Sequence, residues 1–232
     1  MPRTLILDLD GTLCLGDAPI RRVADHAFSR LGAGAGERAA AVLGRFLAGE
    51  HQLLPAARDG YDAVALLATE AGARPEDIHA AFMATRAPEE IDRWLPEVHA
   101  PAALVAALGE LDGVERVLVT NSPRPGMTRI VETLGLATVL DDVVTSARKP
   151  NGMPQILDRL GVGEHVDATA LAAIGDRWAN DLSEVHMRGG TTFHIAHDGW
   201  ADGAPTFRAG EPDEHVGALL EWWRAGRRVS FV

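Results

Sequence analysis

The chain has 232 residues, 47% of them apolar and 24% charged, with 33 acidic against 22 basic side chains and a net charge of −11. That length and apolar fraction exclude intrinsic disorder and are enough for a sizeable core. No apolar run nears the ~20 residues of a membrane span, so no membrane partner is expected, and an acidic chain without a visible basic face is not expected to bind nucleic acid.

Residues 4–7, Thr-Leu-Ile-Leu, form a short apolar run of the kind a strand buried on both faces requires. The run ends at Asp8, and Asp10-Gly11-Thr12 follows as a loop. The early carboxylate interrupts any secretory apolar segment at this end. From about Gly16 to Leu95 there is no convincing strand. Helical patterns run instead over 20–31, 36–47, 61–71, 75–86 and 88–94, with Gly32-Ala33-Gly34-Ala35-Gly36 as a short flexible loop. After Pro96 the pattern alternates. A helix over 101–111 precedes a strand at 117–119, which ends at Thr120-Asn121-Ser122. A helix over 127–134 stops at Gly135. A weaker strand at Val143-Val144 leads to Arg148-Lys149-Pro150, and a helix begins at Pro154. The strand at 171–174 ends at Gly175-Asp176, a helix covers 180–188, and a fifth strand covers 191–195. Trp222-Trp223 are expected to close a terminal helix on the core.

Strands alternating with helices predict an α/β fold built on a doubly wound parallel sheet. Residues 1–15 and 96–232 are expected to form this catalytic core, with 16–95 as an inserted helical domain. Ligands of such sheets bind outside the carboxyl ends of the strands. Four predicted strands end in, or lead to, polar groups: Asp8 with Asp10, Thr120, Lys149, and Asp176 with Asp181. The fold class brings these distant residues to one rim.

Their chemistry is coherent. A carboxylate at a strand end can attack phosphorus and form an aspartyl-phosphate. That role falls to Asp8. Asp10, two residues on, can protonate the leaving oxygen and later deprotonate water. Gly11 permits the turn that brings backbone amides near a phosphate. Thr120 and the amides after it can donate to phosphoryl oxygens, and Lys149 offsets negative charge and orients the nucleophile. Asp8, Asp176 and Asp181 make an all-oxygen set suited to Mg²⁺, which resolves the problem of an anionic substrate among aspartates. Composition adds a pointer. Of the 22 basic residues, only Lys149 is lysine. A lysine surviving such a bias fits a position that needs a compact point charge, which the planar fork of arginine cannot supply.

In order and spacing, Asp8-Leu9-Asp10-Gly11-Thr12, Thr120-Asn121-Ser122, Lys149-Pro150 and Gly175-Asp176 with Asp181 resemble the four motifs of the haloacid dehalogenase-like hydrolase superfamily. The resemblance covers about residues 1–15 and 96–200, and the helical insert sits where that family's helical cap of the first type sits. It implies a Rossmann-like core and a Mg²⁺ cofactor. It makes Asp8 the nucleophile and a metal ligand, and Asp10 the general acid/base with its backbone carbonyl on the metal. It places Thr120 and Lys149 on the phosphoryl group and Asp176 directly on the metal. Asp181 acts through water or holds Lys149, and Asn121 adds a phosphate contact through its backbone.

The expected activity is a Mg²⁺-dependent phosphatase acting on a small phosphorylated metabolite. A phosphotransferase or phosphomutase carries the same motifs; a 2-haloacid dehalogenase and a non-catalytic binding module are the remaining alternatives. Substrate choice in this family belongs to the cap, whose sequence carries no motif. The single cysteine, Cys14, allows no intrachain disulfide, fits a reducing cytoplasm and is expected as a small buried residue. His194 and His197 lack metal-ligand spacing and are expected in surface or packing roles. Tyr61, Arg45 and Arg58 receive no role from the sequence.

Overall fold

The first apolar run forms β1 (Arg3–Leu7), with Leu5 and Leu7 wholly buried. The structure, a computed structural model, describes residues 3–32, 34–197 and 202–229. Ala33, in the expected glycine-rich loop, lies outside the described residues. The chain divides into two units, Met1–Leu15 with His99–Val232, and Gly16–Val98.

The second unit is helical: α1 (Ala18–Phe28), α2 (Ala35–Leu47), α3 (Gly60–Glu70), α4 (Pro75–Ala84) and α5 (Pro88–Trp94). Proline sits at the first helical positions of α4 and α5, where its missing N–H costs nothing. The Asp59 carboxylate caps α3 by accepting the Asp62 N–H at 2.6 Å. Val23, Phe28, Leu43, Phe46, Val64 and Leu67 form its core, with small alanines between them. Arg86 is buried over the rings of Phe82 and Trp94 and donates to the Tyr61 hydroxyl at 3.0 Å.

The first unit resumes with α6 (Ala102–Gly109), β2 (Val114–Val119), α7 (Met127–Thr133), β3 (Asp142–Val144) and α8 (Met153–Arg159). It continues with β4 (Leu171–Gly175), α9 (Ser183–Met187), β5 (Thr191–Ile195), β6 (Phe207–Ala209) and α10 (Val216–Val229). The six strands form one parallel sheet in the order β3-β2-β1-β4-β5-β6. The sequence reading missed β6. Its three residues, Phe-Arg-Ala, carry no apolar run, and they pair on one side only, with β5. The helix expected over 180–188 is instead a π-helical turn at Trp178–Leu182 followed by the short α9. No described helix is long and apolar enough to cross a membrane.

The register positions the site. Leu7 of β1 lies opposite Leu118 of β2 and Ile174 of β4. Asp8, Thr120 and Asp176 therefore leave the sheet at one rim. Strand order reverses between β1 and β4, which makes this rim a topological switch point, where such sheets bind ligands.

At the opposite end of β1, Arg3 ties the strand to α10. It donates to the carbonyls of Trp222 and Trp223 at 2.9 and 2.8 Å and to that of Thr169 at 2.7 Å. The Arg3 guanidinium also lies 4.2 Å from the centre of the buried Trp222 ring, whose Nε1 donates to the Ala168 carbonyl at 2.8 Å. Trp223 is only half-buried. Trp222→Ala should therefore destabilise this unit by about 3–5 kcal/mol, and Trp223→Ala by clearly less. Urea unfolding of the two variants checks this, and equal losses would contradict the asymmetry.

Candidate active site

Asp8 follows the last residue of β1, and 93% of it is hidden from solvent. The Lys149 ammonium donates to Asp8 Oδ1 at 2.5 Å and to Asp181 Oδ1 at 2.7 Å. The three side chains are 9%, 4% and 4% exposed for Asp8, Lys149 and Asp181, so these are buried ion pairs that water screens little. Burial pushes the Asp8 carboxyl up to about 7, against the lowering pull of Lys149, and the charges of Asp181 and Asp10 add to the rise. Burial alone would lower Lys149. The charges of Asp181 and Asp8 outweigh it and hold the ammonium above its ordinary range, so it is a cation at neutral pH.

Asp181 owes its direction to the π-helical turn. Its N–H donates to the Arg177 carbonyl at 2.9 Å, while its Oδ2 accepts the Arg177 N–H at 3.0 Å. That leaves Oδ1 facing Lys149. An extra residue in a helical turn is a common way to re-aim a side chain at a functional site, and here the turn runs directly into α9.

Carboxylate oxygens of Asp8, Asp176 and Asp181 lie within 4.8 Å of one another. With Lys149 they make three carboxylates against one ammonium, a surplus of two negative charges when all three are ionised. An all-oxygen set carrying that surplus fits a hard divalent cation such as Mg²⁺. Asp10 is not in this carboxylate cluster. Its Oδ2 accepts the hydroxyl hydrogen of the buried Ser122 at 3.1 Å.

Gly11 has φ +83°, and a Cβ there would stand 2.6 Å from Asp176 Oδ2. Only glycine lets the first acidic loop pass this close to the second. Its own N–H donates to the Cys14 carbonyl at 3.1 Å. Gly11 thus shapes the loop, and its amide is already engaged. Thr120 is buried at the end of β2, where its Oγ1 accepts the Ser122 N–H at 3.0 Å and keeps its own hydrogen as a donor. Asn121 turns its side chain to the backbone of Lys149. Cys14 is buried.

Four residues that the sequence reading left without a site role also belong here. Ser122 holds Asp10, as described. Thr12, wholly buried, donates to Asp8 Oδ2 at 3.4 Å. His194 and His197 meet the two acidic loops through their backbones. His194, wholly buried in β5, has Nε2 3.0 Å from the Asp176 carbonyl. Burial lowers its pKa and keeps the ring neutral. His197 has Nε2 2.6 Å from the Gly11 carbonyl. Ser122 was visible as the third residue of its motif. Nothing in the sequence pairs either histidine with a carbonyl many residues away.

Comparison with known proteins bears on the family and the fold. The family model for haloacid dehalogenase-like hydrolases matches residues 2–184. YfnB from Bacillus subtilis, assigned to the HAD hydrolases and solved bound to magnesium, is 17% identical with a TM-score of 0.60, over 94% of this chain and 98% of its own. A HAD phosphatase from Thermococcus onnurineus is 18% identical with a TM-score of 0.55, over 94% and 97%. L-2-haloacid dehalogenase from Xanthobacter autotrophicus is 16% identical with a TM-score of 0.54, over 95% and 99%. At these identities the structural likeness carries the fold alone. The search of curated proteins returns no match. The family model, spanning most of the chain with all four motifs inside it, decides the matter: the chain belongs to the haloacid dehalogenase-like hydrolases.

Proposed function

We propose that the protein is a Mg²⁺-dependent phosphatase that hydrolyses a small phosphorylated metabolite through an aspartyl-phosphate on Asp8. The observation that carries this reading is the second acid. Asp10 stands two residues from the candidate nucleophile, outside the metal-competent carboxylate cluster, and is held by the Ser122 hydroxyl. A halide leaves without a proton, so a dehalogenase has no work for an acid at this position. An alkoxide leaving from phosphorus needs one.

Asp8, Asp176 and Asp181 are the residues that would hold Mg²⁺, with the Asp10 backbone carbonyl as a further oxygen. When bound, the ion supplies charge neutralisation for the phosphoryl oxygens and favours the ionised form of Asp8. The side chains supply the rest. The Asp8 carboxylate attacks phosphorus as the P–O ester bond breaks. The leaving oxygen takes the proton of Asp10. Water then attacks the aspartyl-phosphate at phosphorus and gives a proton to Asp10. The acyl-phosphate P–O bond breaks, inorganic phosphate departs and Asp8 is restored. Lys149 keeps a positive charge beside Asp8 through both steps, and the Thr120 hydroxyl can donate to a phosphoryl oxygen.

Purified protein should release phosphate from an aryl phosphate with Mg²⁺ and stop when EDTA is added. Asp8→Asn should lower turnover by roughly 10³-fold or more; undiminished turnover would remove Asp8 as the nucleophile. Asp10→Asn should lower turnover by roughly 10²–10⁴-fold. The loss should be larger for an alkyl than for an aryl phosphate, whose leaving group needs little protonation. Equal losses for both would argue against an acid role in the first step. Mg²⁺ should also raise the thermal midpoint, because it binds only the folded site. Asp176→Asn should abolish that rise, and an intact rise would place the ion elsewhere.

A further inference from the structure

Asn121 directs both ends of its carboxamide at a single residue. Oδ1 accepts the Lys149 N–H at 2.6 Å, and Nδ2 donates to the Lys149 carbonyl at 3.2 Å. The two bonds enclose the lysine's backbone, which lies 28 residues away in sequence.

The loop that carries Lys149 needs such support. Ser146 and Arg148, neither of them glycine, have φ of 50° and 53°. This is the left-handed region, where a side chain crowds its own backbone. At Gly152 the loop folds back so tightly that a Cβ would lie 1.9 Å from the Ala147 carbonyl. Two rungs already tie the loop to the end of β2. The Ala147 N–H donates to the Thr120 carbonyl at 3.0 Å, and the Ser146 N–H donates to the Ser122 carbonyl at 2.9 Å. Both fix residues before the lysine. The Asn121 carboxamide fixes Lys149 itself. From that anchored backbone the ammonium reaches Asp8 and Asp181 together.

We propose that Asn121 is a positioning residue: its carboxamide clamps the Lys149 backbone and so sets the ammonium between Asp8 and Asp181. It acts on the reaction through Lys149 and makes no side-chain contact with substrate. The catalytic consequence rests on the phosphatase reading above; the clamp itself does not.

Lys149 is the single lysine of the chain. Untagged protein labelled with ¹⁵N,¹³C-lysine therefore gives one side-chain ammonium signal by NMR, and that signal reports Lys149 without any substrate. In the parent protein it should be shifted and protected from exchange, as a paired buried ammonium is. In Asn121→Ala it should move to the position of a solvated lysine or broaden away, while the remaining backbone signals keep their dispersion. Asn121→Asp keeps an acceptor for the Lys149 N–H, so its signal should lie between the two. It carries the test if the alanine variant does not fold. An unchanged ammonium signal in either folded variant overturns the clamp. Kinetics then assign the route. Asn121→Ala should lower kcat roughly 10- to 100-fold, the scale of a small misplacement of a catalytic group. In a Lys149→Ala background the same change should cost less than about twofold, because the route is already gone. Full additivity would make Asn121 an independent contact and overturn the positioning role. If no phosphate ester turns over at all, the phosphatase reading falls, while the ammonium signal still decides the clamp.

Discussion

A lysine ammonium buried between two carboxylates is the constraint to which this end of the sheet answers. Lys149, Asp8 and Asp181 are almost entirely withdrawn from water. Removing one partner of such a group leaves an uncompensated buried charge, a loss of about 3–5 kcal/mol in comparable cases. The three residues come from the end of β1, from the loop after β3 and from the π-helical turn after β4. Their meeting requires the parallel register to bring Asp8 and Asp176 to one rim, the extra residue in the turn to swing Asp181 inward, and the loop before α8 to accept unfavourable backbone angles.

The outer contacts follow the same logic. Groups that do no chemistry hold those that can. Ser122 and Thr12 hydrogen-bond to Asp10 and Asp8. His194 and His197 meet the carbonyls of Asp176 and Gly11, so the tail of β5 braces both acidic loops. Such supporting contacts keep reactive groups in place where a surface loop would let them wander.

Much of this was legible in the sequence, for a physical reason. The strands β1 to β5 carry apolar residues because a doubly covered parallel sheet demands them, and the first four end where a polar residue begins. The end of an apolar run therefore marks both a strand terminus and a candidate site residue, as at Asp8, Thr120 and Asp176. β6 escaped because a three-residue edge strand needs no apolar run. The π-helical turn escaped because its pattern, Trp-Ala-Asn-Asp-Leu, reads as ordinary helix; the bond from the Ser183 N–H to the Trp178 carbonyl that widens it leaves no mark in the residue pattern. Gly11 was recognised as a turn residue, but the engagement of its N–H by Cys14 depends on how the loop closes. The bonds from Asn121 to Lys149 and from the two histidines to distant carbonyls join residues that no local pattern relates.

The place of β1 in the sheet carries a further consequence. It is the first strand in the chain and lies at the middle of the layer, yet its partners begin at Val114 and Leu171. On a ribosome it emerges long before either neighbour exists, and more than a hundred residues must follow before Arg3 finds Val114. The helical unit, Gly16–Val98, has the closer pairings that fold early. Vectorial synthesis thus asks the most apolar segment of the N-terminal region to wait, unpaired, while a later stretch of chain is already compact. Asp8 and Asp10, just beyond that segment, put charge beside it during the wait, as gatekeepers do at strands prone to aggregate.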